Sequence, residues 1–122
     1  MSQQTKPGDL PLPELLDPAR LSAAVREPYH NRSLTQVNDH EVRMSVMTER
    51  FRWHHHPDSD EMFIVVEGGL IIEFDDREVL LHPGQIMAVP RGVRHRTRPE
   101  GARSVNLTLE RRGTATVFDE QV

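Results

Sequence analysis

Short runs of apolar residues, separated by turn-forming residues, follow one another from about Leu34 toward the end of the chain. Residues 41–46 and 104–110 alternate between apolar and polar side chains, which is the period-2 pattern of a half-buried strand. Other mainly apolar runs of strand length lie at 62–66, 70–74, 78–81 and 86–89. Glycine and proline punctuate the runs and no helical period intervenes, so the pattern predicts an all-β sandwich or barrel.

The run 62–66 contains no polar residue, which is typical of a strand covered on both faces. One face would line the interior, and the other would pack on a second sheet or a second subunit. The pair Gly68-Gly69 separates this run from 70–74, and we interpret the two glycines as the turn of a hairpin.

The N-terminal part of the chain has a different composition, because five of the nine prolines lie within the first 28 residues. Proline fixes φ and restricts the residue before it, which predicts an N-terminal arm over 1–33 that is extended at its start. Residues 18–26 could form one short helix with Asp17 as its N-cap. The arm would pack on its own barrel, predicted over 34–118, or alternatively cross to a second subunit.

Composition narrows the classes of function. The length of 122 residues suits one domain, and no segment approaches the ~20 apolar residues of a membrane span. The first residues lack an apolar core behind a basic flank, so we expect no secretory signal and a cytoplasmic location. Cysteine is absent, which excludes disulfides, thiolate metal sites and a cysteine nucleophile. A net charge of -4 without a basic cluster makes nucleic acid an unexpected partner.

Histidine and glutamate are concentrated in the segment 53–61. On an extended strand, residues i and i+2 share a face about 6.5–7 Å apart, so His54 and His56 can aim at one point. The loop 57–60 follows, and Glu61 opens the next strand, where its carboxylate can join the two imidazoles. Two histidines and one carboxylate form a ligand set for Fe(II) and other divalent metals that leaves coordination positions open.

A second segment supplies another histidine. Residues 84–95 read as turn, strand, tight turn and the start of a new strand. In 94–98 the even positions are arginines, while His95 and Thr97 share the other face. Because burying three arginines inside a barrel would be very costly, the pleat favours an inward-pointing His95.

Taken together, the two segments resemble the paired motifs of the cupin superfamily, in the manner of small single-domain cupins. The first motif is matched by His54-x-His56, four residues, Glu61, six residues and Gly68.

The second motif is matched by Gly84, five residues, Pro90-x-Gly92, two residues and His95. Thr48 and Pro99 depart from the usual glycine and asparagine of these motifs, which affects the expected turn geometry rather than the ligands.

The resemblance implies a cupin jelly-roll barrel, a double-stranded β-helix of six or eight strands, with a divalent metal ion inside. Carried over residue by residue, the metal ligands are His54, His56, Glu61 and His95. The resemblance leaves Fe, Mn, Zn and Ni open as the metal, since nitrogen and oxygen ligands accept several first-row ions.

Two classes of function follow from the resemblance. One is a metal-dependent dioxygenase or isomerase that acts on a small oxygenated molecule, with the metal as Lewis acid or redox centre and Glu61 as a candidate catalytic base. The alternative is a non-catalytic small-molecule-binding or sensor protein. We expect Phe63 and Met87 in the pocket wall, and Arg52 as well if the strand around His54 is regular. We also expect a homodimer.

Overall fold

The computed structural model describes residues 12–119 and confirms the all-β prediction, with one short helix. The elements are α1 (Pro18–Ala23), β1 (Tyr29–Val37), β2 (His40–Met47), β3 (His54–His55), β4 (Glu61–Glu67), β5 (Leu70–Glu73), β6 (Glu78–Leu81), β7 (Ile86–Val89), β8 (Arg96–Pro99), β9 (Ser104–Arg111) and β10 (Val117–Phe118). Within these residues, no helix has the length and apolar character needed to cross a membrane. The cytoplasmic location stays a prediction.

The strands form two facing layers. One layer is a five-stranded antiparallel sheet in the order β1-β2-β9-β4-β7. The other combines β6-β5-β8 with the pair β10-β3, and a bridge between His54 and His95 joins them. Side chains of both layers build the apolar core, which consists of Met47, Phe63, Val65, Leu70, Ile72, Leu81 and Val89. This is the double-stranded β-helix that the resemblance implied.

The glycine pair after β4 does not form the hairpin that we predicted. β4 pairs with β7 and β9, whereas β5 pairs with β6 and β8, so the chain crosses from one layer to the other at this point. Gly68 has a φ of 68°, and a Cβ atom there would overlap the carbonyl oxygen of Arg103. Glycine is therefore required by a close backbone approach at a crossover rather than by a two-residue hairpin turn.

The segment predicted as an N-terminal arm contains the start of the first strand, while the division into arm and barrel stays a prediction. β1 begins at Tyr29, inside the segment 1–33, and pairs with β2 along its whole length. The helix is shorter than 18–26, but its N-cap is confirmed, since the Asp17 carboxylate accepts hydrogen bonds from the backbone N–H groups of its first turn. The extended start predicted for the arm falls largely on residues 1–11, which lie outside the described residues.

The five-stranded sheet has an apolar outer face. Met44, Val46 and Val105 are buried there and pack against Leu21 of α1 and Val25 just after it. The alternate residues of β2 and β9 are polar and point into the space between the layers. The helix thus covers an outer hydrophobic surface, while part of the interior is polar.

The three arginines of 94–98 lie on the outside of the second layer, as predicted. Glu73 accepts hydrogen bonds from Arg96 and Arg98 at 3.1 Å and forms an ion pair with Arg50 at 3.2 Å. Burial alone would raise the pKa of Glu73, but Arg96 and the other arginines outweigh it and hold the pKa below its ordinary value.

Candidate metal centre

The four predicted ligands come from adjoining ends of strands. His54 lies in β3, His56 follows that strand, and Glu61 is the first residue of β4. His95 precedes β8, where it exchanges both backbone hydrogen bonds with His54 at 2.9 and 3.0 Å. This pairing fixes the second-motif histidine beside the first-motif histidines, although the two motifs are far apart in sequence.

The four side chains converge on a single point. One potential ligand atom from each of His54, His56, Glu61 and His95 lies within 4.8 Å of the other three, and all four residues are buried. The Glu61 Oε1 atom lies 3.2 Å from Nε2 of His56 and 3.2 Å from Nε2 of His95. Donor atoms that each lie about 2.0–2.2 Å from one cation are separated from one another by distances like these. The group could therefore hold a metal ion.

Backbone carbonyls fix the orientation of all three imidazoles. The Nδ1 atoms of His54, His95 and His56 donate to the carbonyl oxygens of Arg52 at 2.7 Å, Val93 at 2.8 Å and Ala115 at 3.1 Å. A carbonyl can only accept, so the hydrogen lies on Nδ1 and Nε2 is the nitrogen left for a cation. Such hydrogen bonds are the usual outer support of metal-binding histidines.

The electrostatics and hydrogen bonding of the group also suit a cation. Burial lowers the pKa of His54 to about 4. Burial opposes the ionised form of Glu61, but His56 and His95 outweigh it and lower its pKa to about 2. Burial likewise lowers the pKa of His56, but the Glu61 carboxylate prevails and raises it to about 9. Within the described residues, the buried Nε2 of His56 lies near Glu61 without making a hydrogen bond, as a nitrogen oriented toward a metal would.

A cavity of about 450 Å³ opens beside the four side chains, between the two layers. Its lining residues include Phe63, one of the three predicted pocket residues. Met87 instead packs against the apolar core, and Arg52 is exposed with its guanidinium 3.9 Å from the centre of the Phe118 ring. The regular strand on which the expectation for Arg52 depended does not extend to it, because β3 contains only two residues.

The sequence predicted neither the side of the cavity built by β1 and β2 nor two further parts of its wall. One is the inward face of β9, formed by Asn106, Thr108 and Glu110. Its alternation was visible in the sequence, but nothing in the pattern showed that the polar face points inward. Burial and the nearby Glu61 raise the pKa of Glu110 to about 7.

The second part is the segment 113–118, which covers the cavity next to His56. No motif or periodicity in the sequence marks this segment.

The two-layer barrel and the buried group of three histidines and one glutamate define a cupin. A family model of the cupin domain matches residues 35–109. The chain belongs to this family.

Individual relatives extend the comparison. The uncharacterized protein YdbB of Bacillus subtilis (strain 168) is 47% identical over 98 residues, which cover 80% of this chain and 86% of that protein. The acireductone dioxygenase of the same bacterium is 31% identical over 77 residues, which cover 59% of this chain and 43% of the enzyme. The crystal structure of a cupin-2 domain containing protein from Shewanella frigidimarina has a TM-score of 0.74 at 28% identity, covering 80% of this chain and 95% of that one.

Proposed function

We propose that this chain binds one divalent first-row metal ion, such as Fe, Mn, Zn or Ni, through His54, His56, Glu61 and His95. The proposal depends on one observation: three Nε2 atoms and one carboxylate oxygen converge while every Nδ1 is held by a backbone carbonyl. Burying three imidazoles and a carboxylate without a cation would carry a large desolvation cost.

We further propose that the site acts on a small oxygenated molecule, as a dioxygenase or isomerase. A bound metal ion supplies Lewis acidity, or electron transfer if it is redox-active. Four protein ligands leave up to two positions of a six-coordinate shell, and the adjoining cavity provides room for a substrate there. Phe63 and Phe51 shield this space from water, and Glu61 is the candidate for moving a proton. The partial similarity to an acireductone dioxygenase supports the enzyme class.

The metal proposal is tested by elemental analysis of untagged protein purified without chelators. The native chain should contain about one metal ion, and His56→Ala and His95→Ala should lose most of it. His55→Ala is the matched control, because the His55 side chain contacts Asp119 at 3.2 Å instead of the cluster. Unchanged metal content in folded His95→Ala protein would contradict the proposed site.

The enzyme proposal needs a separate experiment. Protein loaded anaerobically with each metal is mixed with enol and catechol-type substrates, and oxygen uptake and isomerised products are measured. Metal-dependent turnover that disappears in His95→Ala is the expected result. Tight binding of a molecule that is recovered chemically unchanged would contradict the enzyme and favour a carrier or sensor.

We also propose a homodimer. The outer face of β4 and β7 stays partly uncovered, since Met62 and Ile64 are half-buried and Ile86 of the edge strand is 61% exposed. A second copy could cover this apolar surface. Light scattering should give twice the mass of one chain, and Ile86→Glu should shift the protein to a monomer. A monomeric native protein at high concentration would contradict the dimer.

A further inference from the structure

Three polar side chains on the inward face of β9 are buried without hydrogen-bond partners. Asn106, Thr108 and Glu110 are only 2%, 4% and 8% exposed, and all three line the cavity. Among residues 12–119, none of the three side chains makes a hydrogen bond. Their polar groups face the cavity and are available for hydrogen bonds to a bound molecule, so three in a row on one strand indicate a surface that binds a ligand.

The adjoining part of the same wall, built by β1 and β2 next to β9, is paired within itself. Arg43 donates to Asn31 at 2.5 Å and to Glu41 at 3.1 Å, and Asn31 donates to Ser45 at 2.6 Å. The positive charge of Arg43 is therefore matched by the Glu41 carboxylate. This part of the wall presents no unmatched cation for a second anionic group.

The register of the sheet places the three residues along a line that starts beside the metal centre. Thr108 pairs with Phe63 and Asn106 pairs with Val65, while Phe63 lies two residues beyond the ligand Glu61 on the same face of β4. Each such step along a strand covers about 6.5–7 Å. A molecule bound at the metal could thus extend along β9 and meet one polar side chain after another.

We propose that Asn106, Thr108 and Glu110 bind hydroxyl groups along the carbon chain of a substrate whose end is bound at the metal. The substrate class is then a polyhydroxylated carbon chain with a metal-chelating end. An amide and a hydroxyl can both donate to and accept from a hydroxyl group, and a carboxyl group can accept from one. A second carboxylate or phosphate is disfavoured by the Glu110 carboxyl and by the pairing of Arg43. This inference rests on the proposed metal site.

The test compares three six-carbon probes that share a 2-hydroxycarboxylate chelating end. They are 2-hydroxyhexanoate, gluconate, which adds hydroxyls along the chain, and 2-hydroxyhexanedioate, which adds a terminal carboxylate. Binding to Co(II)-loaded protein is followed by calorimetry and by the cobalt absorption spectrum. Gluconate should bind at least about tenfold more tightly than 2-hydroxyhexanoate, as expected for two or more hydrogen bonds. Equal affinities, or tightest binding of the dicarboxylate, would overturn the inference.

Variants of β9 assign the effect to these side chains. Thr108→Val and Asn106→Leu should each weaken gluconate about fivefold and leave 2-hydroxyhexanoate unchanged, as expected for one lost hydrogen bond. Ser104→Ala is the matched control. Ser104 lies on the same strand and has a buried, unpartnered hydroxyl, but it does not line the cavity. A control that weakens gluconate as much as Thr108→Val does would overturn the assignment.

Stability separates ligand binding from a structural role. Since Thr108 makes no side-chain hydrogen bond within the described residues, Thr108→Val should leave the Tm of the ligand-free protein unchanged or higher. A lower Tm would indicate a structural role and contradict the inference. If Co(II) or 2-hydroxyhexanoate fails to bind native protein, the proposed metal site itself fails. If both bind and the hydroxyls of gluconate add nothing, only this inference fails.

Discussion

The carboxyl-terminal segment supports the metal centre, and its removal should weaken metal binding without unfolding the barrel. In the native chain, the carbonyl oxygen of Ala115 accepts the hydrogen bond from Nδ1 of His56 at 3.1 Å. A chain that ends at Arg112 lacks this carbonyl and β10, but it keeps β9 and the rest of both layers. His56 would then lose the contact that fixes its ring and aims Nε2 at the cluster.

The structure sets the size of the expected effect. Loss of an outer hydrogen bond to a metal-binding histidine typically weakens metal binding by about 10–100-fold, or ~1.4–2.7 kcal/mol. The removed segment contributes little to the free energy of unfolding through apolar burial. Its Phe118 ring is 38% exposed and gives only part of the ~1.5–3 kcal/mol of a fully buried side chain. Metal affinity should therefore fall substantially while the cooperative unfolding transition remains.

Competition with a chelator of known affinity measures the metal dissociation constant, and circular dichroism checks the fold. Phe118→Ala is the control, since it removes the ring and keeps the Ala115 carbonyl; its metal affinity should change by less than about threefold. A folded chain ending at Arg112 with native metal affinity would refute the supporting role of the segment. An equal loss in the control would instead attribute the effect to the ring.

Three further predictions concern other parts of the chain. Gly68→Ala should destabilise the fold by more than about 2 kcal/mol in urea unfolding, because the new Cβ would overlap the Arg103 carbonyl in a left-handed conformation; a shift below 0.5 kcal/mol would contradict this. Glu73→Gln should cost about 1 kcal/mol at pH 7. Because the pKa of Glu73 is lowered in the folded state, its ionised carboxylate stabilises the fold at pH values above the ordinary pKa of 4.5. The difference in unfolding free energy between Glu73→Gln and native protein should therefore vanish as the pH falls through the folded-state pKa. A difference that persists at low pH would refute this prediction. Ser59→Ala should cost about 1–2 kcal/mol by thermal unfolding, since the buried hydroxyl accepts from the Arg111 N–H at 3.1 Å; an unchanged Tm would show that water replaces it.

The candidate metal centre could be predicted because its residues are specified locally. The spacing of His54 and His56 follows from the strand pleat, and Glu61 follows from a short loop. The inward orientation of His95 follows from the cost of burying its arginine neighbours. None of these inferences requires knowledge of which strands pair. Arg52 has the same parity as His54 and His56, but the rule does not apply to it because β3 begins only at His54.

Strand pairing could not be predicted from the same information. A glycine pair between two apolar runs is compatible with a hairpin and with a crossover between layers. The two differ only in distant contacts, such as that between Gly68 and the Arg103 carbonyl. The first strand was likewise hidden, because β1 is largely polar and exposed and shows no apolar period.

The inverted polarity of β2 and β9 connects the fold to the proposed site. A two-faced strand normally places its apolar side in the interior, but here Met44, Val46 and Val105 face outward and are buried beneath the segment that contains α1. That outer cluster supplies hydrophobic stabilisation that the polar part of the interior cannot. The barrel can therefore keep polar groups such as Asn106 and Thr108 inside, where they line the cavity and can hydrogen-bond to a ligand. A polar interior of this kind is understandable if the cavity is built to bind a molecule.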